Sequence, residues 1–312
     1  MKVIASSVIR ATYRGESHGG LYVVDLETGK FECVLDWDYP KIRWEGKGGD
    51  RGLRGLIFHG DKLFTSGARE LFMLNQNFEL VEEYTNQYLD GTHELAMQGG
   101  QIYNIANVND SILVFDLHTK RWTKGYQLLK GETFDPEDST YDIGGREQIH
   151  INSITIQDRW MCISGSKTNF LHMINLDTLE MKNIPLTGLY PIPGNGPEGH
   201  GHNAQFWRDG VVYSSTCGGF TVYQDYEGNI LKKWWTPDFD KPIIRHNLLD
   251  RHDHARAKFT RGMALTKDYV IVGTSPATVH AFSLDSDKPV ASVNLTMDIR
   301  NSICGMALYK WS

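Results

Sequence analysis

Apolar and polar positions alternate along this chain in short runs separated by polar turns, and few segments show a helical period. One unit recurs as apolar run, turn, apolar run. It reads YVVDLETGKFECV from Tyr22, FMLNQNFELVEE from Phe72, LVFDLHTKRWTK from Leu113, HMINLDTLEMKN from His172, TVYQDYEGNILKKW from Thr221 and HAFSLDSDKPVASV from His280. Asp, Asn, Gln or Ser enters each turn, where its side chain can bond the backbone. The flanks alternate as half-buried strands do. A second hairpin precedes most of these. It reads RGLIFHGDKLFTSG from Arg54, HELAMQGGQIYNIA from His93, NSITIQDRWMCISG from Asn152, NAQFWRDGVVYSST from Asn203 and RGMALTKDYVIVGT from Arg261. The two hairpins together make four antiparallel strands, which is one propeller blade.

The sixth copy of the leading strand, CGMALYKW from Cys304, ends the chain without its partner, and MKVIASSVIR at the start supplies one. The pattern therefore predicts an all-β, six-bladed propeller over residues 1–312, a single domain closed by pairing of the C-terminal strand with the N-terminal blade. A β-sandwich pair does not explain the matching ends. Six units in 312 residues leave about 52 residues each, with the excess in loops.

Composition narrows the classes. Hydrophobic residues are 40% and charged residues 22%, as in a globular chain, and the net charge is −6. That balance argues against a general nucleic-acid or acidic-membrane binder. No apolar run reaches membrane-spanning length, and the N-terminal stretch reads as a strand rather than a signal peptide. Cys33, Cys162, Cys217 and Cys304 are scattered and read as reduced thiols of a cytoplasmic protein. The glycines of GKGGDRG lack the following GK[ST] of a phosphate-binding loop. The sequons at Asn109 and Asn294 carry little meaning without a secretion signal.

The long connections all leave outer strands for the next inner strand, around 38–53, 130–148, 185–199 and 236–258, and ATYRGESHGG in the first blade lies on the same face. One-sided decoration predicts one functional face. At the heads of the inner strands stand Arg54, His93, Asn152, Asn203, Arg261 and Cys304, with Glu94, His150, His200 and His202 beside them. Three chemistries are open. Arg54 and Arg261 can hold an anion, with Glu94 or Glu16 as structural counter-charge. His93, His150 and His202 can ligate a divalent metal (Zn, Mn, Fe or Ca), with His200 or a loop histidine (His246, His252, His254) completing the shell. A histidine flanked by carboxylate and arginine can also move protons without a metal, aided by Tyr13, Glu16 and His18. Glu94 would orient His93 or a neighbour, and Asn152 and Asn203 would donate to substrate oxygens. Ser17 has no triad context. Trp37, Tyr39, Trp44, Tyr190, Trp234 and Trp235 offer stacking surfaces for a sugar or a partner.

The strands THELAM, QIHINSITI, HGHNAQFWRDGVVYSST and FTRGMALTKDYVIVGTS resemble those of an uncharacterised family of bacterial β-propeller proteins, over roughly residues 50–280. The resemblance implies the propeller fold, places His93, His150, Asn152 and Arg261 in the family signature, and implies no particular reaction. A weaker resemblance is to the gluconolactonase-like six-bladed propellers. It implies a metal held by a Glu, two Asn and an Asp, for which Glu16, Asn152 and Asn203 could stand. At the fourth position this chain has Arg261, a cation beside what would be a divalent ion.

The expectation is thus an enzyme acting on a small or oligomeric anionic polar substrate, a sugar acid or amino-acid derivative, by lyase, isomerase or hydrolase chemistry. No organic cofactor, nucleic acid or membrane is expected. The alternative is a non-catalytic propeller that binds a protein or glycan.

Overall fold

The computed structural model describes residues 1–41, 51–144, 147–190, 201–240 and 256–311. Its strands pair antiparallel into six sheets. The first sheet begins with β1 (Lys2–Ile9), β2 (Gly19–Asp25) and β3 (Lys30–Asp36). The second is β4 (Leu56–His59), β5 (Lys62–Ser66), β6 (Glu70–Leu74) and β7 (Leu80–Thr85). The third is β8 (Thr92–Gln98), β9 (Gln101–Ala106), β10 (Ser111–Asp116), β11 (Arg121–Gln127) and β12 (Glu132–Phe134). The fourth is β13 (Ile151–Gln157), β14 (Trp160–Gly165), β15 (Phe170–Asn175) and β16 (Met181–Pro185). The fifth is β17 (Gly201–Trp207), β18 (Gly210–Ser215), β19 (Phe220–Asp225) and β20 (Ile230–Trp235). The sixth is β21 (Arg261–Leu265), β22 (Val270–Thr274), β23 (Thr278–Phe282) and β24 (Ala291–Asn294). The last strand, β25 (Asn301–Leu308), returns to the first sheet and pairs with β1 from Val3↔Leu308 to Ile9↔Asn301. This is the six-bladed propeller and the closure that the repeat predicts.

The alternation along each strand determines what it buries. On β1, Val3 and Ala5 pack with Ala264, Ile271 and Val279 of the sixth blade, while Ile4 between them packs with Leu56, Leu63 and Phe72 of the second. Six apolar clusters arise this way, one between each pair of neighbouring blades. Tryptophan indoles stitch the same seams. Trp122 Nε1 donates to Thr85 O (2.9 Å), Trp207 Nε1 to Thr266 O (2.7 Å) and Trp234 Nε1 to Ser283 O (2.9 Å).

Two expectations change. The 130–148 connection is not all loop, because β12 adds a fifth strand to the third blade. Phe134 of that strand lies over Gly125, where a Cβ would meet the ring at 2.2 Å, so only glycine admits it. Its ring stacks on Tyr141 at 4.4 Å. Trp37 and Trp234 are buried rather than presented to a ligand. Trp37 stacks on Tyr39 at 5.2 Å and meets Phe72 edge-on at 5.0 Å. Trp44, His200, His246, His252 and His254 lie outside the described residues. Among the described residues no helix is long and apolar enough to cross a membrane.

Candidate functional site

All six inner strands break register at the same level. His93 and Glu94 of β8 together face one residue of β9, between the pairs Thr92↔Ala106 and Leu95↔Asn104. Asn152 is the extra residue between Ile151↔Gly165 and Ser153↔Ser164. Asn203 and Ala204 stand opposite one residue between His202↔Ser214 and Gln205↔Val212. Gly262 is extra between Arg261↔Gly273 and Met263↔Val272, and Cys304 between Ile303↔Ser7 and Gly305↔Ser6. In the second blade Arg54 N–H donates to Ser66 O (2.9 Å) while Ser66 N–H donates to Gly55 O (3.3 Å), again two residues against one. A bulge re-aims the side chains beside it and sharpens the twist. Repeated around the ring, it sets the strand heads that carry Arg54, His93, Asn152, Asn203 and Arg261 at one level.

The expected arginines and histidines come together there. The His93 imidazole is pushed well below the usual histidine range by burial first, and then by the charges of Arg54, Arg261, His150 and His202. Five residues from five blades therefore form one electrostatic unit. The His93 and His150 rings meet edge-to-face at 5.9 Å. Arg54 is buried, and its Nη1 donates to Thr92 O. Arg261 lies over the Phe259 ring at 4.5 Å.

Hydrogen bonding assigns a donor nitrogen in two of these histidines. Thr216 Oγ1 donates its one proton to Thr260 O (3.0 Å) and lies 2.8 Å from His202 Nδ1, so His202 Nδ1–H is the donor in that bond. His150 Nδ1 lies 2.7 Å from Glu147 Oε2. The hydrogen bond from His150 and the Lys167 ammonium hold the Glu147 carboxyl down at about 2, against the opposing effect of burial. Glu147 is thus an ionised acceptor of the His150 Nδ1–H, and His150 Nε2 lies 3.4 Å from Asn107 Nδ2.

Glu94 does not orient a histidine. It accepts a hydrogen bond from Asn203 Nδ2, across the channel from the fifth blade, while Asn203 Oδ1 accepts from Gly262 N–H (3.0 Å). Burial raises the Glu94 carboxyl to about 8, against the opposing effect of the Asn203 bond, so it is mostly protonated at neutral pH. The Asn203 amide expected to meet substrate is engaged in this crossbar. Glu94 also tops a cavity of about 370 Å³ in the opposite half of the channel, lined by Leu56, Met97, Ile156, Leu265 and Leu308.

The remaining expected residues divide. Asn152 is buried, and neither amide atom has a hydrogen-bond partner among the described residues. Tyr13 and Glu16 are exposed in the first-blade loop, where Glu16 Oε2 accepts from Tyr13 N–H (2.8 Å). The charge of Glu16 acts on His18 rather than on His93. Among the described residues no three His, Cys, Asp or Glu side chains gather at metal-holding spacing, His93, His150 and His202 included. His200 and His254, expected to complete that shell, lie outside the described residues. Sequence reasoning missed Glu147, whose E-x-x-H spacing to His150 was legible, and Thr216, which only the fold brings to His202.

No protein-family model matches the chain, and no curated protein sequence matches it. A solved structure of a protein of unknown function from Bacteroides caccae superimposes with a TM-score of 0.59 at 10% identity, covering 99% of each chain. A chain of the Nidogen/Laminin complex does so with a TM-score of 0.59 at 9% identity, covering 98% of each. At such identities the likeness is one of fold. With 1089 solved chains matching, the fold alone selects no function.

Proposed function

We propose that this propeller is an enzyme that binds a small anionic, polar molecule, a sugar acid or amino-acid derivative, at the loop-bearing mouth of its channel. The observation that carries the reading is the electrostatic coupling of Arg54, His93, His150, His202 and Arg261, from five blades, with Arg54 and His202 buried and the other three half-buried. Guanidiniums in such a place favour a carboxylate or another oxyanion. The chemistry they permit is proton transfer at the carbon beside that carboxylate. A neutral imidazole takes the proton, and the electron pair passes toward the carboxylate, whose charge Arg54 and Arg261 offset. Return of the proton gives an isomerase; loss of a group from the next carbon gives a lyase. A lactonase-like ligand set is not part of this reading, because the Asn203 amide is bonded to Glu94 and Gly262.

The experiment is NMR of candidate sugar acids and N-acyl amino acids incubated with the protein in D₂O. Exchange of the hydrogen beside the carboxylate, lost in Arg54→Gln and His93→Asn, supports the proposal. Binding and exchange unchanged by Arg54→Gln would refute it. Metal analysis of the purified protein reads the metal-assisted form through His93, His150 and His202. A second reading, a binding module, draws on Tyr13, Tyr190 and Trp235, which expose 65%, 50% and 58% of their surface at the loop-bearing end. A partner that binds equally well to the His93 and His202 variants would favour it.

A further inference from the structure

A second group of arginines stands beside the channel mouth. The ring of Phe259, itself buried, has three guanidinium carbons around it: Arg261 at 4.5 Å, Arg256 at 4.9 Å and Arg10 at 5.5 Å from its centroid. No two of these carbons can be farther apart than the sum of their distances to the ring, about 10 Å, which is one Debye length at 0.1 M salt. A single aromatic face attracts one or two cations, and it does not cancel the repulsion among three.

Arg10 carries the argument. It leaves β1 at the loop-bearing end and is 7% exposed. Its backbone N–H donates to Arg300 O (3.1 Å), yet its side chain has no hydrogen bond or ion pair among the described residues. Arg300, equally buried beside it, holds Asp298 in a bidentate pair, with Nη2 to Oδ2 at 2.7 Å and Nε to Oδ1 at 3.2 Å. Among the described residues the same neighbourhood thus supplies a carboxylate to one buried arginine and none to the other. Arg256 contributes a third head group, which donates through Nη2 to the Cys217 thiol (2.8 Å), a weak acceptor.

We propose that Arg10 and Arg256 form a second oxyanion subsite, joined to the channel mouth through Arg261, and that the ligand is a small molecule bearing two acidic groups. One group sits between Arg54 and Arg261, and the other between Arg10 and Arg256. This rests on the anion-binding reading of the channel mouth for the first group only.

The test uses the full chain and inorganic phosphate as probe, followed by calorimetry and by phosphate-dependent thermal stabilisation. In the Arg54→Gln background, phosphate still binds at the Arg10 subsite, and adding Arg256→Gln or Arg10→Met weakens it at least tenfold, the loss that one charged hydrogen bond brings. Phosphate binding in the Arg54→Gln protein that neither further substitution changes would overturn the subsite. So would an absence of binding in that background when wild type binds. The exposed Arg256 variant keeps the test informative should Arg10→Met fail to fold. A series of dicarboxylates from malonate to suberate reads the pairing of the two groups. One length binds at least tenfold tighter than acetate in wild type, and Arg256→Gln abolishes the advantage. If no length exceeds acetate, the two-acid ligand is wrong. If Arg54→Gln leaves acetate affinity unchanged while Arg256→Gln removes phosphate binding, the channel-mouth reading fails and the subsite stands.

Discussion

Replacing Glu94 by Gln should make the protein more stable at neutral pH while removing its function. Burial moves this carboxyl from 4.5 to about 8, and the hydrogen bond from Asn203 Nδ2 opposes that shift only in part. In the unfolded chain the group is ionised above pH 4.5, so folding at pH 7 requires it to take up a proton. That uptake spans about 2.5 pH units at 1.36 kcal/mol each, or about 3 kcal/mol of lost stability. The sign is fixed by proton counts. Between pH 4.5 and 8 the folded state holds one more proton than the unfolded state, so this group makes stability fall as pH rises. Glutamine keeps the length and an oxygen to accept from Asn203 Nδ2, and it has no proton to take up. Urea denaturation from pH 5 to 8.5 should show wild-type stability declining through that window, and the variant should be flatter and about 3 kcal/mol more stable at pH 7. Equal slopes, or a variant less stable throughout, would mean that Glu94 is ionised in the folded state and paired with a guanidinium. A group kept at such a cost is the pattern of a functional carboxyl, so the variant should also lose ligand binding or turnover.

His280 is buried, with Nδ1 2.8 Å from Ser292 Oγ, and burial lowers it from 6.5 to about 4. Its contribution is therefore present above pH 6.5 and lost as pH falls toward 4, about 3 kcal/mol in all, and His280→Leu should remove that part of the acid sensitivity seen in denaturant midpoints. An unchanged acid slope in the variant would refute it. Deleting 301–312 removes the inner strand of the first blade and should abolish cooperative unfolding and near-ultraviolet dichroism; a truncated chain that still unfolds cooperatively would show that closure is dispensable. Nitrogen NMR should find His202 protonated at Nδ1, and Thr216→Val should lose that preference; a wild-type Nε2–H form would contradict the assignment. Anion affinity should rise as pH falls, because a bound anion offsets Arg54 and Arg261 and lifts His93 from its depressed position; a flat profile in calorimetry, or the same slope in His93→Asn, would refute this.

The blade count was legible because period-2 alternation and turn chemistry are local, and each hairpin repeats both. Ring closure was legible because Cys304 onward and Met1 onward are the two halves of one hairpin. The arginine and histidine gathering was legible from strand alignment, since residues at equal positions in repeated strands share an axis. What alignment does not encode is the bulge level and the contacts made across the ring. Glu94 and Asn203 are 109 residues apart and meet only because the ring brings the inner strands of the third and fifth blades to one channel. The Arg10 grouping escaped because Arg10, Arg256 and Phe259 belong to connections of the first and last blades, which are neighbours only after closure. Trp234 read as a loop aromatic because it stands near a strand end, yet its indole is fully buried against the sixth blade.

The channel mouth has a definite electrostatic character once its titratable groups are assigned. Glu94 is neutral because desolvation outweighs its bond from Asn203, and His93 is neutral because desolvation and the two arginines act in the same direction. The charge of the two guanidiniums persists at every accessible pH. An anion at about 4 Å from one guanidinium gains roughly 4 kcal/mol at an effective dielectric of 20, and a cation loses as much. Desolvating the anion offsets much of that gain, so affinity for a simple ion should be modest. Discrimination between anion and cation keeps both terms and is far larger. On the proposed reading the site selects by sign first and leaves chemical identity to the neutral donors and acceptors around it. Asn152, buried at the same bulge level with no amide hydrogen bond among the described residues, is the candidate for that second task on the proposed reading.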